Sequence, residues 1–245
     1  MDIANICRLG YFDNIKLSGT MVTTSNNGLI IRDTIFKNNI TKDTISKLRI
    51  NIVGESIDNS SDIVEYSKNH CLNHFKAGKS NFYIIGYLDA FILKGKYNQV
   101  LYKDISNDIV PNNYTSKNNE METITAGVNL QRFIEGKYKL DRGEPAVAIL
   151  NKLYIIDLFR ENGISSWIHN NIFEIIHQLS TIFVSGAVLE CGDFNREAKD
   201  KFNLTEEEYT YFLMEHYIKC GYRKITDLRA ITSGVNNPFI LYKII

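Results

Sequence analysis

The sequence predicts an α+β fold, an α/β sandwich in which helices flank a central sheet, and three observations predict it. Runs rich in β-branched and aromatic residues recur, the densest being residues 81–94, NFYIIGYLDAFILK, and residues 145–157, PAVAILNKLYIID. Two later segments, 164–179 and 209–220, keep apolar residues at the three-and-four spacing of one buried helix face. The second of these opens on a capping box, Thr205 with Glu208 three residues on, and stops at Gly221.

Taken in order, residues 1–45 read as a β-rich extension, with Thr24-Ser25-Asn26-Asn27-Gly28 as the turn of a hairpin within 10–36. The rest, 46–245, reads as one domain. Residues 48–54 read as a strand, and 61–76 as a helix carrying Ile63, Val64, Tyr66, His70, Cys71, His74 and Phe75. The 81–94 run reads as a buried strand with a bulge near Gly86, followed by a strand at 99–105 and an exposed polar loop at 106–120. A helix is expected over 122–136. After the 145–157 strand, the turn Arg160-Glu161-Asn162-Gly163-Ile164-Ser165-Ser166 leads into a helix over 165–180, whose apolar positions are Ile164, Ile168, Ile172, Ile175, Ile176 and Leu179. A strand at 182–191, the capped helix, and strands at 223–232 and 238–244 complete the chain. On the capped helix, Tyr209, Phe212, Leu213, His216, Tyr217 and Cys220 are expected on one face.

With 44% hydrophobic and 23% charged residues the composition is that of a globular protein, which excludes disorder over the whole length. Lysine plus arginine balances aspartate plus glutamate at 28 each, so no global positive field gathers phosphate backbones or anionic lipid, and nucleic acid is disfavoured as the main partner. No apolar run reaches the length of a membrane span, and the first residues lack the pattern of a secretory signal; a cytoplasmic protein is expected. Cys7, Cys71, Cys191 and Cys220 are far apart and are expected as thiols. His70, Cys71 and His74 would share a helix face, but no third and fourth ligand accompanies them, so no metal is expected.

The chemistry-bearing feature is the strand, Arg-x-x-Gly turn and helix at 145–180. First-turn amides of a helix have no intrahelical acceptor and lie at the positive end of the dipole, so a diphosphate can dock there. Gly163 lets the backbone approach closely, and Arg160 can add a charged contact. The order of elements from this turn onward, ending in HYIKCGY at 216–222 and two strands, resembles the C-terminal half of the GNAT superfamily of acyl-CoA-dependent N-acetyltransferases. Arg160 and Gly163 match the family's loop, where Gln or Arg is followed by two residues, Gly, one residue, and Gly or Ala; Ser165 stands at the last position and departs from it. The resemblance covers residues 145–245.

It implies a mixed, mostly antiparallel sheet, acetyl-CoA as acyl donor and an amine as acceptor, with direct attack in a ternary complex. It also implies that Tyr154, Ile155, Ile156, Arg160, Glu161, Asn162, Gly163, Ile164, Ser165 and Ser166 bind the donor. Backbone groups of 154–156 would pair with the pantetheine arm, and the strands on either side of the helix should leave a gap for it. Tyr217 matches the family's tyrosine facing the CoA sulfur, where a phenol can protonate the leaving thiolate; the alternative is a core tyrosine. Glu190 and Asp157, each at a strand end, are candidate bases, and a base acting through water is a further possibility. Two competing readings stand beside acyl transfer: a non-catalytic GNAT-like module binding CoA or a protein, and an unrelated α+β interaction protein. The acceptor and the oligomeric state are not readable from the sequence.

Overall fold

Alternation decides the strands. Leu48, Ile50 and Ile52 are buried and Arg49 is exposed, as the period of two requires when one sheet face meets a core. The computed structural model describes residues 14–25, 28–33, 45–56, 61–70, 72–77, 79–94, 117–137, 145–180, 182–192 and 203–245. The strands are β1 (Asn14–Ser25), β2 (Gly28–Asp33), β3 (Ile45–Ser56), β4 (His74–Ala77), β5 (Ser80–Leu93), β6 (Ala146–Ile155), β7 (Val184–Glu190), β8 (Arg223–Lys224) and β9 (Ile240–Ile244). The helices are α1 (Ser61–Asn69), α2 (Lys117–Lys137), α3 (Ile164–Asn170), α4 (Ile172–Ser180) and α5 (Glu206–Lys219).

The strands form one open sheet in the order β2-β1-β3-β5-β6-β7-β9-β8, with β4 paired to β5. Every described pair is antiparallel except β6 with β7, which are parallel and joined through α3 and α4. The fold is thus a mixed α/β arrangement with a mostly antiparallel sheet and flanking helices. The hairpin of β1 and β2 is part of this sheet, since β1 pairs with β3 from Asn14↔Glu55 to Thr24↔Ile45.

One sheet face, with Leu48, Ile50, Leu88, Ala90, Ala148, Leu150, Ala187 and Leu189, packs beneath Ile164, Ile168, Ile172, Ile176 and Met214 of the helices α3 to α5. The other face is covered at one end by α2, whose Ala126, Leu130 and Ile134 meet Val147, Val188 and Tyr242. Each of the leucine, isoleucine, valine and methionine side chains contributes about 1.5–3 kcal/mol on full burial. The bulge expected near Gly86 is present: pairing passes from Ile52↔Gly86 to Val53↔Ile84. A side chain at Gly86 would lie 2.4 Å from the Tyr154 carbonyl oxygen, so only glycine lets β5 and β6 close here.

Five expectations are corrected. The helix expected over 61–76 stops at Asn69, because His74–Ala77 pairs with Ser80–Tyr83 and Phe75 stacks on Phe82 at 5.0 Å; His70 and His74 therefore do not share a helix face. The helix expected over 165–180 is two, α3 and α4, parted at Asn171, whose side chain donates to the Trp167 carbonyl and competes with the helical ladder. Of the strand expected over 223–232 only Arg223–Lys224 is strand; two 3₁₀ turns follow, with Asn129 of α2 donating to the carbonyls of Ile231 and Ser233. Phe212, expected on the inner face of α5, is 50% exposed. The helix expected over 122–136 begins earlier, at Lys117, inside the expected loop. The strand expected at 99–105, together with Cys7 and Cys71, lies outside the described residues. No described helix is long and apolar enough to cross a membrane.

Candidate functional site

The parallel pair sets the site. β6 and β7 run together from Ala146↔Val184 to Leu150↔Leu189. There β6 bulges: Ala90↔Leu150 is followed by Asp89↔Lys152, leaving Asn151 as the extra residue. Beyond it β6 continues to Ile155 paired with β5 alone, the last pair being Gly86↔Ile155, and no described strand takes the β7 side. The bulge sits where the β6–β7 ladder ends, and β7 itself ends one residue later, at Glu190.

The end of β6 runs into the predicted loop. Phe159 is fully buried and anchors it. Arg160 turns inward, its Nε donating to the Ile155 carbonyl at 2.7 Å, its guanidinium paired with Asp157 and lying over the Tyr154 ring. Asn162 donates to the Arg160 carbonyl. Glu161 (φ 63°) and Gly163 (φ 77°) both take left-handed backbone, and Gly163 is the N-cap of α3 with no side-chain acceptor. The amides of Ile164, Ser165 and Ser166 are therefore uncapped, and Gly163 at the mouth of the turn is exposed. Ile164 is buried. The hydroxyls of the two serines face α5: Ser165 Oγ is 3.2 Å from His216 Nε2, and Ser166 bonds the Cys220 thiol.

Tyr217 occupies the wedge between α3, α5 and the end of β7. Its ring meets His169 edge-on at 4.7 Å and lies 5.3 Å from His216 and 6.1 Å from Tyr222. Burial, reinforced by Cys191, Tyr209 and Cys220, pushes its phenol well above the ordinary value, so it holds its proton at neutral pH. The Cys191 thiol is pushed up to about 12 by burial and by Glu190, which removes it as a nucleophile.

Glu190 points to the other face. Strand alternation sends Leu189 and Cys191 toward α5 and Glu190 toward α2, where Oε2 accepts from Thr123 Oγ1 (3.2 Å) and Oε1 from Asn237 Nδ2 (2.8 Å). Glu122 holds that loop in place by accepting from the amides of Asn236 and Asn237. Asp157 lies on the exposed turn. The three candidate catalytic residues thus do not converge: Tyr217 is inside the wedge, Glu190 is across the sheet, and Asp157 is on the rim with Arg160.

Several residues of the wedge carry no local sequence signal. His169 is only 2% exposed; its Nδ1 is 3.1 Å from the Tyr222 hydroxyl, and its Nε2 has no hydrogen-bond partner among the described residues. Desolvation, with His216 and Lys243 nearby, lowers its pKa to about 3. Lys243 of β9 donates to the carbonyls of His169 (2.9 Å), Cys220 (2.9 Å) and Asn170 (3.5 Å), fastening the C-terminal ends of α3 and α5 to the sheet. Only the long-range packing of β9 on these helices brings them together. Among the described residues no group of three or more His, Cys, Asp or Glu side chains could hold a metal ion. No family model matches the chain, and comparison with curated proteins found no match.

Proposed function

We propose that the chain is a GNAT-like, acyl-CoA-dependent N-acyltransferase that moves an acetyl group from acetyl-CoA to a primary amine by direct attack in a ternary complex. The observation that carries this reading is the parting of β6 from β7 after Leu150↔Leu189, with the freed end of β6 leading into the uncapped first turn of α3. The uncapped amides offer donors for a diphosphate, and the β7 side of residues 151–155 offers backbone groups for the amide-rich pantetheine arm.

In the reaction the amine lone pair attacks the thioester carbonyl carbon, the C–N bond forms, and the oxyanion is met by backbone N–H groups beside the bulge. Collapse breaks the C–S bond, and the thiolate takes the Tyr217 proton, which returns from solvent. Glu190 being across the sheet, the excess proton on nitrogen leaves to water. Arg160, committed to Ile155 and Asp157, shapes the loop in this scheme and does not add a diphosphate contact.

A non-catalytic module that binds CoA or a protein is favoured by one observation, the separation of Glu190 and Asp157 from Tyr217. The experiment is a thermal melt with acetyl-CoA, then thiol release with an amine panel. Ligand at about 100 times its Kd adds roughly 2.7 kcal/mol, or about 5–10 °C for a chain of this size. A shift with turnover supports transfer; a shift without turnover supports a CoA-binding module; no shift rejects both of these.

A further inference from the structure

The sheet face opposite α3 to α5 is not apolar beyond the end covered by α2. Arg49, Asp89 and Lys152 are cross-strand neighbours on β3, β5 and β6, and Tyr87 and Tyr154 are neighbours in the next row. Contacts confirm that all five share one face. Arg49 grips both oxygens of Asp89 at 2.7 and 2.6 Å. The Arg49 guanidinium lies 4.5 Å and the Lys152 ammonium 5.8 Å from the Tyr87 ring centre, and Tyr154 lies 5.6 Å from the same ring. The intervening residues Leu48, Ile50, Leu88 and Ala90 are in the core on the other side.

The charges are unequal. Asp89, whose side chain is 10% exposed, neutralises Arg49, whereas Lys152 has no carboxylate partner among the described residues and rests on the aromatic ring. One net positive charge therefore stands over a two-tyrosine shelf, next to the bulge at Asn151. Half of the Arg49 side chain is solvent-exposed (49%), and Tyr154 is 36% exposed, so the shelf is open.

We infer that this shelf binds a small ligand bearing a carboxylate or phosphate, taken by Lys152 with the open edge of Arg49 while the rest of the molecule lies on Tyr87 and Tyr154. Asp89 fixes the guanidinium through its Nε and Nη2 groups. If the acyl-transfer reading holds, on which this assignment of an amine rests, the ligand is the acceptor: an amine carrying an anionic group, placed beside the parting of β6 and β7.

Binding is measured on the full chain without acetyl-CoA, by calorimetry or ligand-observed NMR, with L-glutamate, phosphoethanolamine and spermidine as carboxylate-bearing, phosphate-bearing and purely cationic amines. One or both anionic amines bind and spermidine does not. Lys152→Gln weakens that binding about tenfold, Lys152→Arg restores most of it, and Lys76→Gln on β4 changes nothing. Preference for spermidine, binding of no probe, or equal binding by the Lys152→Gln chain overturns the inference. Because acetyl-CoA is absent, a failure of acyl transfer leaves this result readable, and an empty shelf leaves the donor site untouched.

Discussion

Acid should loosen this protein through His169. The imidazole is buried against Tyr217 and Tyr222, with His216 and Lys243 as its charged or titratable neighbours, and its folded pKa of about 3 lies below the ordinary 6.5. Between those values the unfolded chain binds the proton and the folded chain does not, so stability is complete above about pH 6.5 and falls as pH drops toward 3. Each pKa step is worth about 1.4 kcal/mol, giving a ceiling of about 5 kcal/mol for this one group. His216, also lowered by desolvation and by Lys219, adds loss of the same sign. The assay is urea unfolding from pH 7.5 to 4, followed by the fluorescence of Trp167, the one tryptophan. His169→Gln keeps a partner for the Tyr222 hydroxyl but cannot titrate, and its stability should fall less steeply with acid, by up to about 1.4 kcal/mol per pH step. Parallel curves for the two chains would refute the reasoning.

Four other outcomes follow from the packing. Thr205→Ala removes the capping box of α5, in which the Glu208 amide donates to Thr205 Oγ1 and the Glu208 carboxylate accepts from the Thr205 amide, and should cost about 1 kcal/mol in urea unfolding at neutral pH. Gly86→Ala drives a methyl into the Tyr154 carbonyl and should cost about 1–3 kcal/mol, with amide shifts confined to β5 and β6 in NMR spectra. Lys243→Met leaves the helix-end carbonyls of His169 and Cys220 without their charged donor and should lower stability by about 2–3 kcal/mol. Tyr217→Phe should keep acetyl-CoA binding within about twofold while slowing thiol release about tenfold or more; an unchanged rate removes the phenol from the proposed mechanism.

The local elements were legible where local chemistry is strong. The Thr205–Glu208 box, the Gly221 stop (φ 89°) and the bulge at Gly86 are readable from adjacent residues, and the structure has all three. The errors fall where a distant partner outweighs local spacing. His74–Ala77 has helical spacing behind α1 but gains a full strand ladder against β5. Residues 225–231 have strand-like composition, yet Asn129 and the buried Ile225 and Ile231 hold them as turns against α2.

The sequence by itself determined that a β run ends in a turn with glycine at a left-handed position before a helix, because φ preference, uncapped amides and apolar spacing are properties of neighbours along the chain. Only the tertiary structure decided that Arg160 faces its own loop and that Glu190 and Tyr217 lie on opposite faces. The same holds for His169, which Tyr217, Tyr222 and Lys243 enclose. Those outcomes depend on strand register and on which helix covers which sheet face, and a single side chain's position among residues far along the chain is settled only when the whole core packs.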